Sequence, residues 1–380
     1  MNVFEGIQVL ELGRVFSAPL CGMVLADVGA RVVKVERPGI GDESRRFGRH
    51  FAGGNSCYFN ALNRNKQSVA LDLKREDDRE TFIRLVGDSD VLVHNWLQHS
   101  LDKLGFGYDD LKRLNPKLIY CSISGYGRGS SHSHLPSQDI LAQAVSGLMS
   151  LTGEEGGLPL KTGIPVVDYV TGLNAAFAIM SALYMRQVTG EGQLVTTSLL
   201  ESALAMTSFE SSSFLSVGVS SERRGNRHPY ICPYNVYQTK DAAVTIAVAN
   251  DAMWERFCLA LGLGGLLEDA RFASNKSRLE NQDRLELVLE SEISKLTTAR
   301  LIATLEESRV SCARVNSIEE AFESDPVREL DMVVSFDAGE HVAGEKVACV
   351  GKAFHLEKLP DVVDTAPPAL GSGSVGIQDE

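Results

Sequence analysis

Six short runs of aliphatic and β-branched residues, separated by helical patterns, dominate the first half of the chain. The strand-like runs are residues 7–12, 31–36, 68–73, 91–94, 118–123 and 194–197. The first helix is predicted to begin at Ser17, with Pro19 in its first turn, and to end before Gly29. Regular alternation of strands and helices predicts a parallel sheet with helices on both faces. We therefore expect a large Rossmann-like α/β domain over residues 1–205.

The pattern changes after a serine-rich polar stretch, residues 206–230, which we predict to be a linker. Two strand-like runs, 234–239 and 244–249, predict a hairpin, and helical patterns follow it. These elements predict a smaller α+β domain over residues 231–325. The remaining residues, 326–380, are expected to be a return linker and the C-terminal part of the large domain.

The most apolar stretch of the chain, residues 173–185, predicts a helix that is buried on all sides. Asp168 precedes it, where its carboxylate would face the free N–H groups of the first helical turn. The positive end of the helix dipole would then favour the ionised carboxylate. Two interpretations follow from these residues alone. Asp168 is either a helix cap or a charged nucleophile in a largely dry place.

Composition narrows the possible functions. The net charge is -13, and residues 317–380 hold fourteen acidic residues against four basic ones, so the rest of the chain is nearly neutral. Such a chain lacks the basic face that binds nucleic acid. The seven cysteines show no Cys-x-x-Cys and the histidines lack metal-ligand spacing, so we expect neither disulfides nor a metal site. We expect no leader and no membrane span, and hence a cytoplasmic location.

Basic side chains near the ends of the predicted strands could frame a ligand crevice, as in open α/β sheets. They are Lys34, Arg37, Arg45, Arg46, Lys66, Lys74 and Lys103. The alternative for each is a solvated surface charge. Asp139 opens an apolar helix, either as its N-cap or as a second carboxylate near Asp168. The turn at residues 13–19 lacks the glycines of a dinucleotide site, which disfavours a nicotinamide cofactor.

Nearly end to end, the chain resembles the family III CoA-transferases, the CaiB/BaiF family that includes formyl-CoA transferases and α-methylacyl-CoA racemases. The segments that carry the resemblance are GIQVLEL at 6–12, LADVGARVVKVERPGIGD at 25–42, NRNKQS at 63–68, LDLK at 71–74, SGYG at 124–127, TGEGQ at 189–193 and PYNVYQT at 233–239. Their order and spacing together are specific. The resemblance implies that Asp168 is the catalytic nucleophile, which forms an aspartyl anhydride and then an aspartyl-CoA thioester.

The resemblance also implies which residues surround the substrate. Those expected near the CoA nucleotide are Arg37, Leu71, Lys74, Asn95 and Lys103, with the basic side chains on the phosphates and Leu71 and Asn95 beside the adenine. Those expected near the acyl group are Phe16, Gln138 and Asp139. A glutamine has no useful pKa for abstracting a proton, so Gln138 disfavours the reaction of the racemases.

Several broader expectations follow from the same resemblance. The protein would be an interlocked, ring-like homodimer whose second copy completes the active site. It would move CoA from an acyl-CoA donor, such as succinyl-CoA, to a small mono- or dicarboxylic acid, with CoA as substrate and no permanently bound cofactor. The alternatives are an acyl-CoA racemase or epimerase of the same fold, a catalytically silent CoA-binding protein and, less favoured, a NAD-dependent oxidoreductase.

Overall fold

The computed structural model describes residues 3–337, 346–357 and 364–373. The chain divides into two compact units. The large unit comprises Met1–Met149, Lys161–Ser220 and Leu330–Glu380, and the small unit comprises Ser150–Leu160 and Ser221–Glu329. The predicted boundaries differ in two places. Residues 150–160 were expected in the large domain, and the expected linker at 206–230 is divided between the units. The C-terminal segment expected at 326–380 lies partly outside the described residues.

The large unit is built around a mostly regular succession of strands and helices. In chain order its elements are β1 (Gln8–Leu12), α1 (Ser17–Ala26), β2 (Arg31–Glu36), a 3₁₀ helix (Glu43–Arg46), β3 (Phe51–Ala52), β4 (Asn55–Ser56), α2 (Cys57–Asn63), β5 (Lys66–Ala70), α3 (Glu76–Gly87), β6 (Val91–His94), α4 (Gln98–Lys103), α5 (Tyr108–Leu114), β7 (Ile119–Ser124), α6 (Asp139–Val145), α7 (Leu148–Leu151), α8 (Val166–Thr189), β8 (Leu194–Ser198), α9 (Leu199–Met206) and α10 (Ser208–Val217).

The small unit and the C-terminal segment contain the remaining elements. They are β9 (Tyr234–Gln238), β10 (Ala243–Ala247), α11 (Asp251–Ala260), α12 (Gly265–Glu268), α13 (Asn275–Glu280), α14 (Gln282–Ile293), α15 (Thr298–Glu307), β11 (Ser311–Arg314), α16 (Ile318–Glu323), α17 (Asp325–Glu329), β12 (Val333–Asp337) and β13 (Lys346–Val350). Strands β11, β10 and β9 form an antiparallel sheet, and its helices pack on it through Trp254, Phe257 and Leu285. The second hairpin, β12 with β13, belongs to the large unit.

The central sheet of the large unit has six parallel strands in the order β5-β2-β1-β6-β7-β8. The predicted parallel α/β sheet is therefore confirmed. Successive side chains of a strand point to opposite faces, and β1 shows this clearly. Val9 packs with α1 and α8 on one face, whereas Leu10 and Leu12 pack with α3, α4 and α5 on the other. The core thus lies in two layers, one on each side of the sheet.

The predicted strand at 68–73 is displaced along the chain. The observed strand β5 covers Lys66–Ala70, and Leu71 follows it. Leu71 and Leu73 leave the sheet yet stay buried, because they pack in the core cluster with Phe82, and they also form part of the wall of a cavity. An apolar residue beside a cavity has the same pattern in sequence as one inside a sheet, so the strand was predicted too far toward the C-terminus.

Helix α8 begins earlier than predicted and is not buried on all sides. It runs over Val166–Thr189, so Asp168 is its third residue and does not precede it. Its inner face packs on α1 and the sheet. By length and composition alone it could cross a membrane, but that inner face belongs to the core of the large unit. Its outer face is apolar and exposed, which the expectation of full burial missed.

Gly172 brings α8 unusually close to α1. A Cβ atom added at this position would lie 2.7 Å from the carbonyl oxygen of Ser17 and 2.9 Å from Cδ2 of Leu20. Any larger residue would have to push the helices apart, since real Cβ atoms do not approach backbone atoms so closely. The first turn of α1 is therefore held against the first turns of α8, which carry Asp168.

Candidate active site

The carboxyl ends of parallel strands meet at one edge of the sheet, which is where open α/β sheets bind ligands. A cavity of about 310 Å³ lies at this edge. Its wall includes Leu12 from the end of β1, Glu36 from the end of β2 and Trp96 after β6. The cavity therefore lies at the end of the sheet where a ligand was expected.

Two lysines expected in loops are instead buried inside strands. Lys34 in β2 lies opposite Glu11 in β1, and its ammonium bonds Glu11 at 2.8 Å, Asp42 at 3.0 Å and the carbonyl oxygen of Gly13 at 2.7 Å. Lys66 in β5 bonds the other oxygen of Glu11 at 2.8 Å. Burial disfavours the charge of Lys34, but Glu11 and Asp42 outweigh it and raise the lysine pKa. Burial lowers the pKa of Lys66 to about 8. Neither lysine can reach a ligand.

Arg45 was also expected at the crevice, and it too is buried. Its guanidinium makes two hydrogen bonds to Glu36, at 2.8 and 2.6 Å, and others to Asn55 and the carbonyl oxygen of Pro368. Ser68 donates to the same glutamate. Burial opposes ionisation of Glu36, but Arg45 outweighs it and lowers the glutamate pKa. Arg45 thus connects Glu36 in the cavity wall to Pro368 in the C-terminal segment.

A strained loop joins the cavity to Asp168. Val15 has a φ of 66°, which is unusual for a β-branched residue, and its N–H donates to both carboxylate oxygens of Asp42 at 3.1 and 3.2 Å. Such strain costs about 1–3 kcal/mol and persists only where surrounding contacts fix it. The loop leads directly into Ser17, whose side chain hydrogen-bonds Asp168.

Asp139 caps a different helix from the one predicted. It is the first residue of α6, but one of its carboxylate oxygens accepts the N–H groups of Val167 at 2.8 Å and Asp168 at 3.1 Å. Those are second- and third-position amides of α8, which Pro165 leaves without a side-chain cap. Of the two interpretations of Asp139, the second carboxylate near Asp168 therefore fits the geometry better than the N-cap of α6.

The carboxyl group of Asp168 is largely buried, and an aromatic cluster includes Phe16 and Tyr169, the chain neighbours of Ser17 and Asp168. The ring of Phe16 lies 6.2 Å from that of Tyr169 and 6.0 Å from that of Tyr58. Burial, and then the negative charge of Asp139, raise the pKa of Asp168 to about 7, against the lowering effect of Ser17. The expectation that the helix dipole favours the ionised carboxylate does not hold here, because burial and the negative charge of Asp139 outweigh it.

Comparison with known proteins decides what this arrangement belongs to. Residues 4–374 match the model of the CoA-transferase family III. A succinate–glutarate CoA-transferase of Agrobacterium fabrum is 36% identical, over 99% of this chain and 95% of that protein. An acetyl-CoA:oxalate CoA-transferase of Acetobacter aceti is also 36% identical, over 84% of this chain and 82% of its own. A solved CAIB/BAIF family protein from Brucella suis is 33% identical with a TM-score of 0.87, covering 98% and 97% of the two chains.

The chain belongs to the CoA-transferase family III. The predicted resemblance is confirmed, and the protein is an enzyme that transfers CoA. What the structure adds for this family member is where each predicted site residue lies.

The residues predicted for the CoA nucleotide lie in and beside the cavity. Arg37, Leu71 and Lys74 line it. Asn95 instead exchanges two hydrogen bonds with the backbone of Arg14, at 2.9 and 2.8 Å, so it shapes the loop that lines the cavity. Lys103 is exposed at the end of α4, next to Leu104 in the cavity wall.

The residues predicted for the acyl group divide similarly. Phe16 and Asp139 neighbour Asp168, as described above. Gln138 is exposed, and its carbonyl oxygen accepts the N–H groups of Leu141 and Ala142 at the start of α6. Gln138 therefore serves α6 through its backbone.

Sequence reasoning missed three residues that meet this site. Ser17 was noted only as a helix start, and neither Tyr58 nor Gln143 was singled out. Burial, and then the negative charge of Asp168, raise the pKa of Tyr58 to about 12. Gln143 is fully buried and bonds Asp139. A buried glutamine in an apolar helix is the only hint the sequence held.

The described part of the chain contains no cluster of side chains suited to bind a metal ion. Among residues 3–337, 346–357 and 364–373, no group of three or more His, Cys, Asp or Glu side chains could hold a metal ion. All seven cysteines are free thiols.

Proposed function

We propose that this family III CoA-transferase uses Asp168 as a nucleophile to move CoA from an acyl-CoA donor, such as succinyl-CoA, to a small mono- or dicarboxylic acid. The observation that carries the proposal is the placement of Asp168. Asp168 lies in the first turn of α8, Ser17 hydrogen-bonds its carboxyl group, and its pKa of about 7 leaves a large ionised fraction near neutral pH. A carboxylate nucleophile suits carboxylate exchange, because the acylated enzyme and the substrates are similar in energy.

The reaction would run through two anhydrides. Ionised Asp168 attacks the thioester carbonyl of the donor, the C–S bond breaks, and CoA thiolate and an acyl-aspartyl anhydride form. The thiolate attacks the aspartyl carbonyl, which releases the donor acid and leaves CoA on Asp168 as a thioester. The acceptor carboxylate then attacks that thioester, and the freed thiolate takes the acceptor acyl group from the second anhydride, which restores the Asp168 carboxylate.

The surroundings of Asp168 support this sequence of steps. An anhydride reacts with water, so the site must exclude it during turnover. Phe16, Tyr58 and Tyr169 form an aromatic cluster that supplies apolar surface at the starts of α1 and α8. Ser17 hydrogen-bonds the carboxyl group and can orient the attacking oxygen.

The cavity supports a place for the nucleotide of CoA. Arg37 and Lys74 stand in its wall and would meet phosphates, since both cations suit such groups. Two acidic residues of the wall, Glu36 and Asp42, are already paired with Arg45 and Lys34, which reduces their repulsion of a polyanion. Gln138 cannot act as a base that abstracts a proton, so the site does not favour the racemase reaction.

The outer face of α8 supports the proposed homodimer. Its exposed apolar residues recur every three or four positions and so form one stripe: Tyr169, Leu173, Phe177, Met180, Tyr184 and Val188. Phe177 is 69% exposed, Tyr184 76% and Val188 81%. Contiguous apolar surface of this kind marks an interaction site on a soluble protein. We propose that a second copy of the chain covers this outer face of α8, as the family resemblance implies. We also propose that the enzyme is cytoplasmic.

Intact-protein mass spectrometry tests the proposed nucleophile. The protein is mixed with a panel of acyl-CoA donors, beside Asp168→Asn and a matched control, Asp109→Asn, at an exposed first-turn aspartate of α5. A CoA-sized adduct on the wild type and the control, absent from Asp168→Asn, is expected. An adduct of equal amount on Asp168→Asn would refute the role of this carboxylate, and the donors that react would define the acyl group.

A further inference from the structure

The start of α8 is bound by a partly buried polar cluster that the transfer mechanism leaves unused. The cluster comprises Asp139, Gln143 and Thr162. We propose that Asp139 and Gln143 are positioning residues for the transfer reaction, in which Asp139 takes the helix amides that Asp168 would otherwise bind and Gln143 holds Asp139 in place. The inference rests on the proposed function, because it concerns the same nucleophile.

The geometry of Asp139 gives the first step of the argument. One carboxylate oxygen bonds the N–H groups of Val167 and Asp168 at 2.8 and 3.1 Å. The free amides of a first helical turn attract a carboxylate in that same turn. Here Asp139 has already satisfied them from α6. The Asp168 carboxyl group is thereby free to accept the hydrogen bond from Ser17.

Gln143 gives the second step. It is fully buried, and its amide nitrogen donates to the other oxygen of Asp139 and to the hydroxyl of Thr162 at 3.2 Å. Its amide oxygen accepts the N–H of Thr162 at 3.0 Å. The Thr162 hydroxyl donates onward to the carbonyl oxygen of Ile164 at 2.7 Å. One side chain thus fixes both the capping carboxylate and the segment that leads into α8.

The charge of Asp139 affects the reactivity of Asp168 as well as its position. Asp139 acts on Asp168 from α6 by its negative charge, Tyr58 on α2 is near enough for its pKa to respond to Asp168, and from α1 the uncharged Ser17 hydroxyl donates to Asp168. Asp139 is the charge that raises the pKa of Asp168, after burial. A carboxylate that is less stable as an anion is a stronger base and a stronger nucleophile once it is ionised. The same residue therefore sets both the place and the reactivity of Asp168.

Two substitutions at one position separate these contributions. Asp139→Asn keeps an oxygen that can accept the helix amides but removes the charge, whereas Asp139→Ala removes both. For Asp139→Asn we expect the acid limb of the kcat/KM profile to move about one pH unit lower. At pH 6 the variant should then reach a fraction of its own maximal kcat/KM that is about fivefold larger than the corresponding fraction for the wild type. For Asp139→Ala we expect kcat to fall about tenfold or more at every pH with KM for the donor unchanged.

Gln143→Leu tests the second residue. It matches the side-chain volume but removes every hydrogen bond, so we expect a loss of kcat similar to that of Asp139→Ala. Asp109→Asn should leave both the pH profile and kcat as in the wild type. If all three variants at positions 139 and 143 keep the wild-type acid limb and lose activity only in proportion to lost folded protein, the two residues are merely structural and the inference is overturned.

A second readout separates this inference from the function on which it rests. Carbon-13 NMR of aspartate carboxyl groups in the ligand-free protein, with Asp168→Asn to assign the signal, follows the ionisation of Asp168 without any turnover. The signal should titrate at lower pH in Asp139→Asn than in the wild type, and an unchanged titration refutes the charge effect. If the wild type instead forms no CoA adduct with any donor, the proposed function fails while the titration still decides the role of Asp139.

Discussion

Replacing the nucleophile should make the ligand-free protein more stable, and by an amount that grows with pH. The pKa of the Asp168 carboxyl group is raised from 3.8 to about 7 by burial and by Asp139. An unfolded chain loses this proton near pH 4, whereas the folded protein keeps it until about pH 7. Ionisation therefore favours the unfolded state throughout that window. Asp168→Asn cannot ionise and so removes the penalty.

The magnitude follows from the size of the shift. Each pH unit between the two pKa values is worth about 1.4 kcal/mol, so the penalty reaches about 4 kcal/mol above pH 7 and vanishes below pH 4. Between pH 5.5 and 7.5 the stability difference between Asp168→Asn and the wild type should grow by about 2 kcal/mol. The asparagine keeps an oxygen for the hydrogen bond with Ser17, so little else changes.

Urea unfolding at fixed protein concentration, followed by circular dichroism at pH 5.5 and 7.5, measures this difference. The exposed Asp109→Asn variant controls for the general effect of removing a carboxylate and should differ from the wild type by the same small amount at both pH values. Asp168→Asn should be more stable than the wild type, and more so at pH 7.5. A difference of equal size at the two pH values would show that Asp168 is not held protonated by its surroundings, and the reasoning would fail.

Three further variants test the framework around the nucleophile. Gly172→Ala places a Cβ 2.7 Å from the Ser17 carbonyl oxygen, so α1 must move away. We expect kcat to fall about tenfold and the protein to lose about 1–3 kcal/mol of stability. Wild-type kinetics would contradict the close packing. Lys34→Met leaves Glu11 with one buried cation fewer and should cost about 3–5 kcal/mol in urea unfolding, whereas a loss below about 1 kcal/mol would count against the buried network. If the outer face of α8 forms the proposed homodimer, Phe177→Lys should shift the protein toward monomers in sedimentation velocity, and an unchanged assembly would remove that face from the interface.

The parallel sheet was predictable because its strands are short, apolar and bounded by turns. Strand β2 was placed at its observed bounds, and β6 likewise. The edge of the sheet that holds the cavity followed from the topology alone. What sequence could not show was the pairing of distant residues. Glu11 and Lys34 lie directly opposite each other only because β1 and β2 pair in that register.

The start of α8 shows why helix bounds near a site are hard to predict. Gly172 and Thr171 broke the apolar pattern, so the helix was predicted to begin after them. In the structure Thr171 is buried and its hydroxyl donates to the carbonyl oxygen of Val167, and Gly172 admits α1. Both residues are therefore explained by packing and not by a helix end.

The outer face of α8 illustrates a second limit. An apolar stripe looks the same in sequence whether it faces the core of its own chain or another surface, so full burial was expected. The role of Asp139 was hidden for a related reason. Its first-turn position in α6 suggests a local cap, whereas its partners are amides 28 and 29 residues away.

The most direct test of the account follows an oxygen atom through Asp168. During turnover with an acceptor acid labelled with oxygen-18 in its carboxylate, the proposed anhydrides require one heavy oxygen to pass from the acceptor to the Asp168 side chain and, in later cycles, to the released donor acid. Peptide mass spectrometry of the enzyme after turnover should find the label on Asp168. An enzyme that forms the new acyl-CoA at its full rate while Asp168 stays unlabelled would contradict the central claim.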